Sequence, residues 1–488
     1  MKWNLKIIIS IIFVLIIIIS SFNINAQLPK SISQDIWVDG IFEGTITIGK
    51  SNGDITGMIN HGRSSTNGVF QATILINDES FEAKGWFKNN LLYGVFKKGI
   101  FSIPLIGLIE VHRSAFKSYL IIPNGFIKAS YTSSYLPPLN GKYGIGVKNF
   151  HLIDESRKEL LTENPDDFRE LVLKIWYPTD NEVEGEWYTY MTELMFAWLM
   201  GRAPIPLLGV SKTAYEDVKP HGKINVPIAS NSNFFPVILF AHGLDGTLEI
   251  YSSFIEDLVS KGYVVISMNH PYIAGVVEFP DDRSIYYQDF YSQNNPDYTK
   301  IAIRTIVDDA KFALDYAEIL NDTDNILKER LNLENVGMYG HSFGGASTSI
   351  CCFEDDRIDC GLTLDGVSYE ELIPIGVTKP FFMMTADGRF NSSGVEYIWD
   401  KQESDIYRMS INGSSHYGYT DVGLLLSHML PLIPQNILGF GTVDPKLMIE
   451  IVRSFILEFF NVYLKGESES RIIDIADDFS HYIQFEYK

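Results

Sequence analysis

The run Val336-Gly-Met-Tyr-Gly-His-Ser-Phe-Gly-Gly-Ala346 restricts the fold of this chain more than any other stretch. A short apolar strand stops at Gly340-His341-Ser342-Phe343-Gly344, the pattern G-x-S-x-G. In it the serine occupies a strand-to-helix turn so cramped that small residues are needed two positions to either side. Such a turn lifts the Ser342 hydroxyl clear of its own backbone. The helix that follows, from Gly344-Gly345-Ala346, aims its N-terminal dipole and free N–H groups at the same place. Five letters recur by chance, so Ser342 reads as a nucleophile only if a base, an acid and oxyanion donors are found elsewhere.

The surrounding texture alternates strands with helices. Leu171–Tyr177 is a strand ending at Pro178, and Tyr263–Met268 is another. Phe235–Phe240 is a near-continuous apolar run, as a parallel strand buried on both faces requires. Glu249–Lys261 reads as a helix, and Ile303, Val307, Ala310, Leu314 and Ala317 form a helical stripe ahead of the Val336 strand. Gly361–Leu364, Phe381–Thr385 and Ile406–Ile411 continue the alternation, and Met448–Leu464 closes it as an amphipathic helix. The pattern predicts one doubly wound, mostly parallel α/β domain over residues 141–488, with its ligand site beyond the carboxyl ends of the strands.

Residues 34–130 have a different texture. Alternating runs at Ile41–Ile48, Val69–Ile76, Phe81–Phe87 and Leu91–Phe96, broken by Gly, Asn and Asp, predict a small antiparallel all-β module, either barrel or sandwich. Within it, Gly44-Thr-Ile-Thr-Ile-Gly49-Lys50-Ser51 matches the phosphate-loop expression G-x-x-x-x-G-K-S. A phosphate loop opens a helix, whereas Thr45–Ile48 is strand-like and Asn52-Gly53-Asp54 is a turn, so the match is set aside. Paired prolines in the stretch 131–140 mark a linker.

At the N-terminus two lysines precede the apolar run Ile7–Ile19, and small or polar residues lead to Ala26. The run is shorter than the ~20 residues of a bilayer span, so residues 1–26 are expected to be a secretory signal peptide and the protein secreted or periplasmic. The alternative is an uncleaved signal that anchors it to the membrane. With 39 basic against 61 acidic residues the net charge is −22, which disfavours nucleic-acid partners. Cys351, Cys352 and Cys360 are too few and too bunched for a zinc site. A Cys352–Cys360 bridge is conceivable in an oxidising compartment, but the apolar flanks favour buried thiols. No metal and no cofactor is expected.

The strand-end loops supply what Ser342 needs. Chains with this elbow place the acid and then the histidine downstream of the serine. Of His416, His428 and His481, His416 follows the Ile406 strand in a flexible Asn-Gly-Ser-Ser loop and is the expected base. His428 lies in an apolar run and His481 in the tail. Two acids qualify: Asp365 ends the strand after the elbow, and Asp387 ends the next one, and the residues alone leave the choice open. One oxyanion donor is the Phe343 N–H. The other is expected from Leu244 in Ala241-His242-Gly243-Leu244-Asp245-Gly246, directly after the Phe235 strand. Met191–Met200 and Leu424–Ile433 are apolar enough to wall an acyl pocket or face lipid, although ordinary core is the plainer reading.

Phe240-Ala-His-Gly-Leu244, Gly340-His-Ser-Phe-Gly-Gly345, Cys360-Gly-Leu-Thr-Leu-Asp365 and Gly413-Ser-Ser-His416 together resemble the platelet-activating factor acetylhydrolase family of the lipoprotein-associated phospholipase type, over about residues 140–466. Asn269-His270-Pro271-Tyr272 and Val277-Glu-Phe-Pro280 are similar to its microbial members. The resemblance implies an α/β-hydrolase fold and calcium-independent hydrolysis of short or oxidised acyl esters of phospholipids. It also favours Asp365 over Asp387 as the acid. One departure is Asp245-Gly246 beside the oxyanion loop, where an extra carboxylate faces either the anionic intermediate or solvent. The rival expectations are a dienelactone- or polyester-type carboxylesterase and, in another class, a catalytically weak hydrolase-fold adhesion protein.

Overall fold

The computed structural model describes residues 40–488 except 49–50, 62–66, 77–78, 89–90, 99–100, 113–114, 123–124, 133–135, 163, 182, 203–213, 219, 233, 289–296, 367–375 and 430–434. Side chains are described from Leu136 onward, those of Ala214, Asp217 and His428 excepted. The expected signal peptide, residues 1–26, lies outside the described residues. Among the described residues no helix is long and apolar enough to cross a membrane.

The antiparallel module is a closed barrel. β1 (Gly40–Ile48), β2 (Ser51–His61), β3 (Asn67–Ile76), β4 (Glu79–Lys88), β5 (Leu91–Lys98), β6 (Phe101–His112), β7 (Ala115–Ile122) and β8 (Gly125–Thr132) each pair with the next, and β8 returns to β1. Closure removes both sheet edges. The phosphate-loop lookalike spans the β1–β2 hairpin, where Ile48 opposes Ser51, so a strand and not a helix follows it.

The remaining chain builds a ten-stranded sheet from β9 (Gly144–Lys158), β10 (Phe168–Thr179), β11 (Gly222–Ile224), β12 (Phe235–Ala241), β13 (Val264–Asn269), the small hairpin β14 (Val276–Glu278) with β15 (Ser284–Tyr286) standing apart, then β16 (Leu331–His341), β17 (Cys360–Leu364), β18 (Phe381–Thr385), β19 (Ile406–Ile411) and β20 (Ile483–Tyr487). The strand order is β11-β9-β10-β13-β12-β16-β17-β18-β19-β20. From β13 to β19 all neighbours are parallel.

Helices cover both faces: α1 (Glu193–Gly201), α2 (Ser252–Ser260), α3 (Tyr298–Thr323), α4 (Phe343–Glu354), α5 (Ser393–Lys401), α6 (Val422–Met429), α7 (Pro445–Lys465) and α8 (Ser470–Asp478). Along β12, Ile238 and Phe240 pack toward α2 and α7, while Val237 and Leu239 pack toward α3 and α4. This two-sided burial is why the strand reads as continuously apolar. Each such side chain contributes about 1.5–3 kcal/mol on leaving water. The expected stripe Ile303, Val307, Ala310, Leu314 and Ala317 is buried on α3. α7 has a full set of end signals: the Asp444 side chain accepts from the Lys446 and Leu447 N–H groups, Pro445 follows it, and Gly466 closes the helix at φ 69°. Met195, Phe196 and Leu199 of α1 and Leu424, Leu425 and Leu426 of α6 join the core.

The three cysteines are free and buried, and burial pushes the Cys352 thiol up to about 12. One topological fact positions the site. The chain leaves β12 through α2 to reach β13 on one side, then crosses through α3 to β16 on the other. The order therefore reverses between β12 and β16, and a crevice opens at their carboxyl ends.

Candidate active site

Ser342 lies at that crevice with φ 55° and ψ −115°, a costly conformation for a residue with a side chain. Its N–H donates to the Leu364 carbonyl at 3.0 Å, binding the turn to β17. A Cβ on Gly340 would lie 2.4 Å from the Gly344 carbonyl carbon, and one on Gly344 would lie 2.1 Å from the Ala241 carbonyl oxygen. Both contacts are to backbone, which explains why each flank of the serine is glycine. Phe343 is the first residue of α4, so its N–H has no intrahelical acceptor.

Asp365 follows β17 and is buried. Its Oδ2 accepts from His416 Nδ1 at 2.5 Å and from Arg389 Nη1 at 2.7 Å, and its Oδ1 accepts from the Ala386 N–H at 2.9 Å. Burial opposes ionisation, but the His416 and Ala386 hydrogen bonds and the His416 and Arg389 charges outweigh it and hold this carboxyl below the usual range. His416 opens a short 3-10 turn after β19, and its side chain is 34% exposed. Asp387 has another job. Its Oδ2 accepts from the Gly413 N–H at 2.9 Å and its own N–H donates to Ser414 Oγ at 3.1 Å, so it fastens the loop that carries His416. Among the described residues, the carboxylate hydrogen-bonded to the imidazole is that of Asp365.

The glycine turn after β12 closes on the serine from the other side: a Cβ on Gly243 would lie 3.0 Å from Ser342 Cβ. Leu244, next along, is thereby beside the nucleophile candidate. Asp245 is half-buried and paired. It pairs with Arg202, whose Nε lies 2.9 Å from its Oδ2, and accepts from Trp198 Nε1 at 3.2 Å, which offsets the charge beside the loop.

Several positioning residues have no signature in the sequence. His341 is buried and neutral, since burial and the neighbouring His416 hold its pKa down to about 3. With its proton on Nε2 it donates to the His416 carbonyl at 3.0 Å, and Nδ1 accepts from the Tyr251 hydroxyl at 2.8 Å. The Tyr251 oxygen in turn accepts from the Gly243 N–H at 3.4 Å. One ring thus links the histidine loop to the glycine turn. Beneath that turn His242 Nδ1 donates to the Gly243 carbonyl at 2.7 Å, and its Nε2 accepts from the His270 N–H at 3.3 Å. His270 Nδ1 donates to Asp309 at 2.8 Å, and Asp309 is held by Arg169 through bonds of 2.6 and 3.0 Å. The only local hint is position, since His341 and His242 stand beside residues chosen for other reasons.

A strained serine between a central parallel strand and a helix, at the switch point of a mostly parallel sheet, defines an α/β-hydrolase of the esterase kind. The family model described as platelet-activating factor acetylhydrolase, isoform II, matches residues 128–476, and the chain belongs to that family. The guinea-pig (Cavia porcellus) platelet-activating factor acetylhydrolase is 23% identical over 381 residues, covering 70% of this chain and 81% of its own length. The probable 1-alkyl-2-acetylglycerophosphocholine esterase of Arthroderma benhamiae is 23% identical over 254 residues, covering 48% of this chain and 62% of its own. A ferulic acid esterase from Streptomyces cinnamoneus superposes with a TM-score of 0.58 at 23% identity, over 72% of this chain and 98% of that one, a likeness of fold. The chain is a carboxylic ester hydrolase.

Proposed function

We propose that the chain hydrolyses short acyl esters, above all the acetyl group of platelet-activating-factor-like phospholipids, by acyl transfer through Ser342, His416 and Asp365. His416 accepts the serine proton while Asp365 fixes its tautomer, and the serine oxygen attacks the ester carbonyl. The N–H groups of Leu244 and Phe343 hold the oxyanion, the alcohol leaves with the proton from His416, and water cleaves the acyl-enzyme by the same relay. The observation that carries this reading is the 2.5 Å contact from His416 Nδ1 to Asp365 at the strand end beside the strained serine. The names of the relatives support the acetyl ester, and the relay itself uses no metal, so activity in EDTA should equal activity in calcium.

Residues 1–26 are proposed to export the protein, with 34–130 folding as a separate module joined by 131–140 to the catalytic domain 141–488. The test of substrate class is a panel of phosphatidylcholines with acetyl, butanoyl, oxidised short and long sn-2 chains, run beside aryl acetates and a soluble polyester oligomer. The expected result is a steep fall in kcat/KM from acetyl to long chains. Equal rates across the panel, or preference for the oligomer, would replace the acetylhydrolase reading with the dienelactone- or polyester-type one.

A further inference from the structure

Arg389 stands where the relay described above does not need it. It lies in the turn after β18, and its Nη1 contacts Asp365 Oδ2 at 2.7 Å, the same oxygen that takes the His416 proton donor at 2.5 Å. The arginine is 41% exposed while Asp365 is 1% exposed, so the guanidinium reaches in from solvent to a carboxylate that is otherwise sealed. A carboxylate that only oriented the imidazole would need the His416 and Ala386 donors. A third, fully charged donor on the shared oxygen does two further things. It takes up part of the negative charge that would stabilise an imidazolium, and it places a positive charge next to the site where that imidazolium forms.

We propose that Arg389 is a positioning residue: it shares Asp365 Oδ2 with His416 and sets a fixed positive charge beside the imidazolium that the relay forms. The inference rests on the serine-relay reading above. The other groups around the pair do not substitute for Arg389. His341, from β16, has its ring 4.5 Å from that of His416 but is neutral. Tyr251 meets the pair only through His341, and Tyr419 is buried with its hydroxyl donating to the Thr385 carbonyl at 2.7 Å. Tyr417 lies with its ring 5.5 Å from His416, edge-on to it. Asp387, in the same turn as Arg389, is committed to the Gly413 N–H. Among the described residues Arg389 is the arginine or lysine hydrogen-bonded to Asp365.

The sign follows directly. Activity needs neutral His416, so the acid limb of the pH profile marks where the imidazolium loses its proton. Removing the neighbouring cation makes the imidazolium easier to keep, and the acid limb moves to higher pH. For a half-exposed arginine the expected displacement is about half to one pH unit.

The test measures kcat/KM against pH for p-nitrophenyl acetate in the full chain and in Arg389→Met, Arg389→Lys and Ser342→Ala. The expected result is an acid limb displaced upward in Arg389→Met, a limb that stays with the native one in Arg389→Lys, and no turnover in Ser342→Ala. An Arg389→Met limb that superimposes on the native one, or an equal loss at every pH in both Arg389 variants, overturns the inference and leaves a bracket for the turn. Native-level turnover in Ser342→Ala overturns the relay and the role of Arg389 with it. Should Arg389→Met fail to melt cooperatively, Arg389→Gln repeats the comparison with a neutral donor on the same oxygen.

Discussion

Asp365 and Asp309 each hold a histidine and an arginine: His416 and Arg389 at the edge of β17, and His270 and Arg169 where β10, β13 and α3 meet, with Arg157 adding a second arginine to Asp309 at 3.0 Å. The contacts are alike, 2.5 and 2.7 Å in the first set and 2.8 and 2.6 Å in the second. What separates them is water. His416 and Arg389 are 34% and 41% exposed, whereas His270 and Asp309 are wholly buried and Arg169 nearly so. In the sealed set, burial leaves His270 neutral despite its carboxylate neighbour. Burial also opposes ionisation of Asp309, but Arg169 and His270 outweigh it and keep the carboxyl charged. The set is tied through His270 to His242 and so to the Gly243 turn, and reads as a prop for that turn. An aspartate–histidine pair is therefore no evidence of chemistry by itself. Access to solvent and the strained serine at the neighbouring strand end are what mark the Asp365–His416 pair as the proposed relay and set it apart from the sealed pair.

The comparison can be broken at its two centres. Ser342→Ala should cost on the order of 10⁴-fold or more in kcat/KM with the melting temperature retained, since the relay acts as one unit. His416→Ala should lose nearly as much in the same assay. Asp309→Ala should do the reverse, destabilising the fold by about 3–5 kcal/mol in urea because it breaks a buried ion-pair network, leaving Arg169 with Glu159 alone and taking the acceptor from His270 and Arg157. If Asp309→Ala instead folds normally and loses activity as Ser342→Ala does, the sealed pair is catalytic and the distinction fails.

Asp421 sharpens the contrast, being a buried aspartate whose hydrogen-bond partners are the Ser253 N–H and hydroxyl and not a cation. Burial pushes its carboxyl up to about 7 in spite of those bonds. Between the ordinary value near 4 and about 7 the folded chain holds a proton that the unfolded chain has released, so this group makes stability fall as pH rises through that window. Asp421→Asn should remove the dependence. Its advantage over the native chain in urea unfolding should be greatest near pH 8, on the order of 2–4 kcal/mol, and should shrink toward pH 4. The smallest effect is expected at Asp387. Asp387→Ala loosens one tie on the His416 loop, worth about 1–1.5 kcal/mol, or roughly a tenfold fall in kcat/KM, far from the loss in Asp365→Ala.

The parts of the site legible in the sequence are those fixed by a strand and the turn at its end. Ser342, His416 and the Gly243-Leu244 turn each follow an apolar run by a few residues, so hydrophobic pattern and turn chemistry suffice to place them. Asp365 and Asp387 satisfy the same rule equally, and only register separates them. β17 lies against β16 and carries Asp365 to the serine, while β18 is one strand further out. His341, Tyr251, Arg389 and the Arg169–Asp309–His270 set were not legible, because their meaning comes from partners up to 140 residues away. In the N-terminal module alternation gave strands but not closure, since nothing local states that β8 pairs with β1.

The central claim is that Ser342, and no other nucleophile, carries the acyl group. Its most direct test is the intact mass and peptide map of the full chain after reaction with a fluorophosphonate, beside His416→Ala. The account predicts one adduct, on the peptide containing Ser342, formed at least 10³-fold more slowly without His416. An adduct elsewhere, no adduct in a chain that still hydrolyses the ester, or an equal labelling rate in His416→Ala would contradict it.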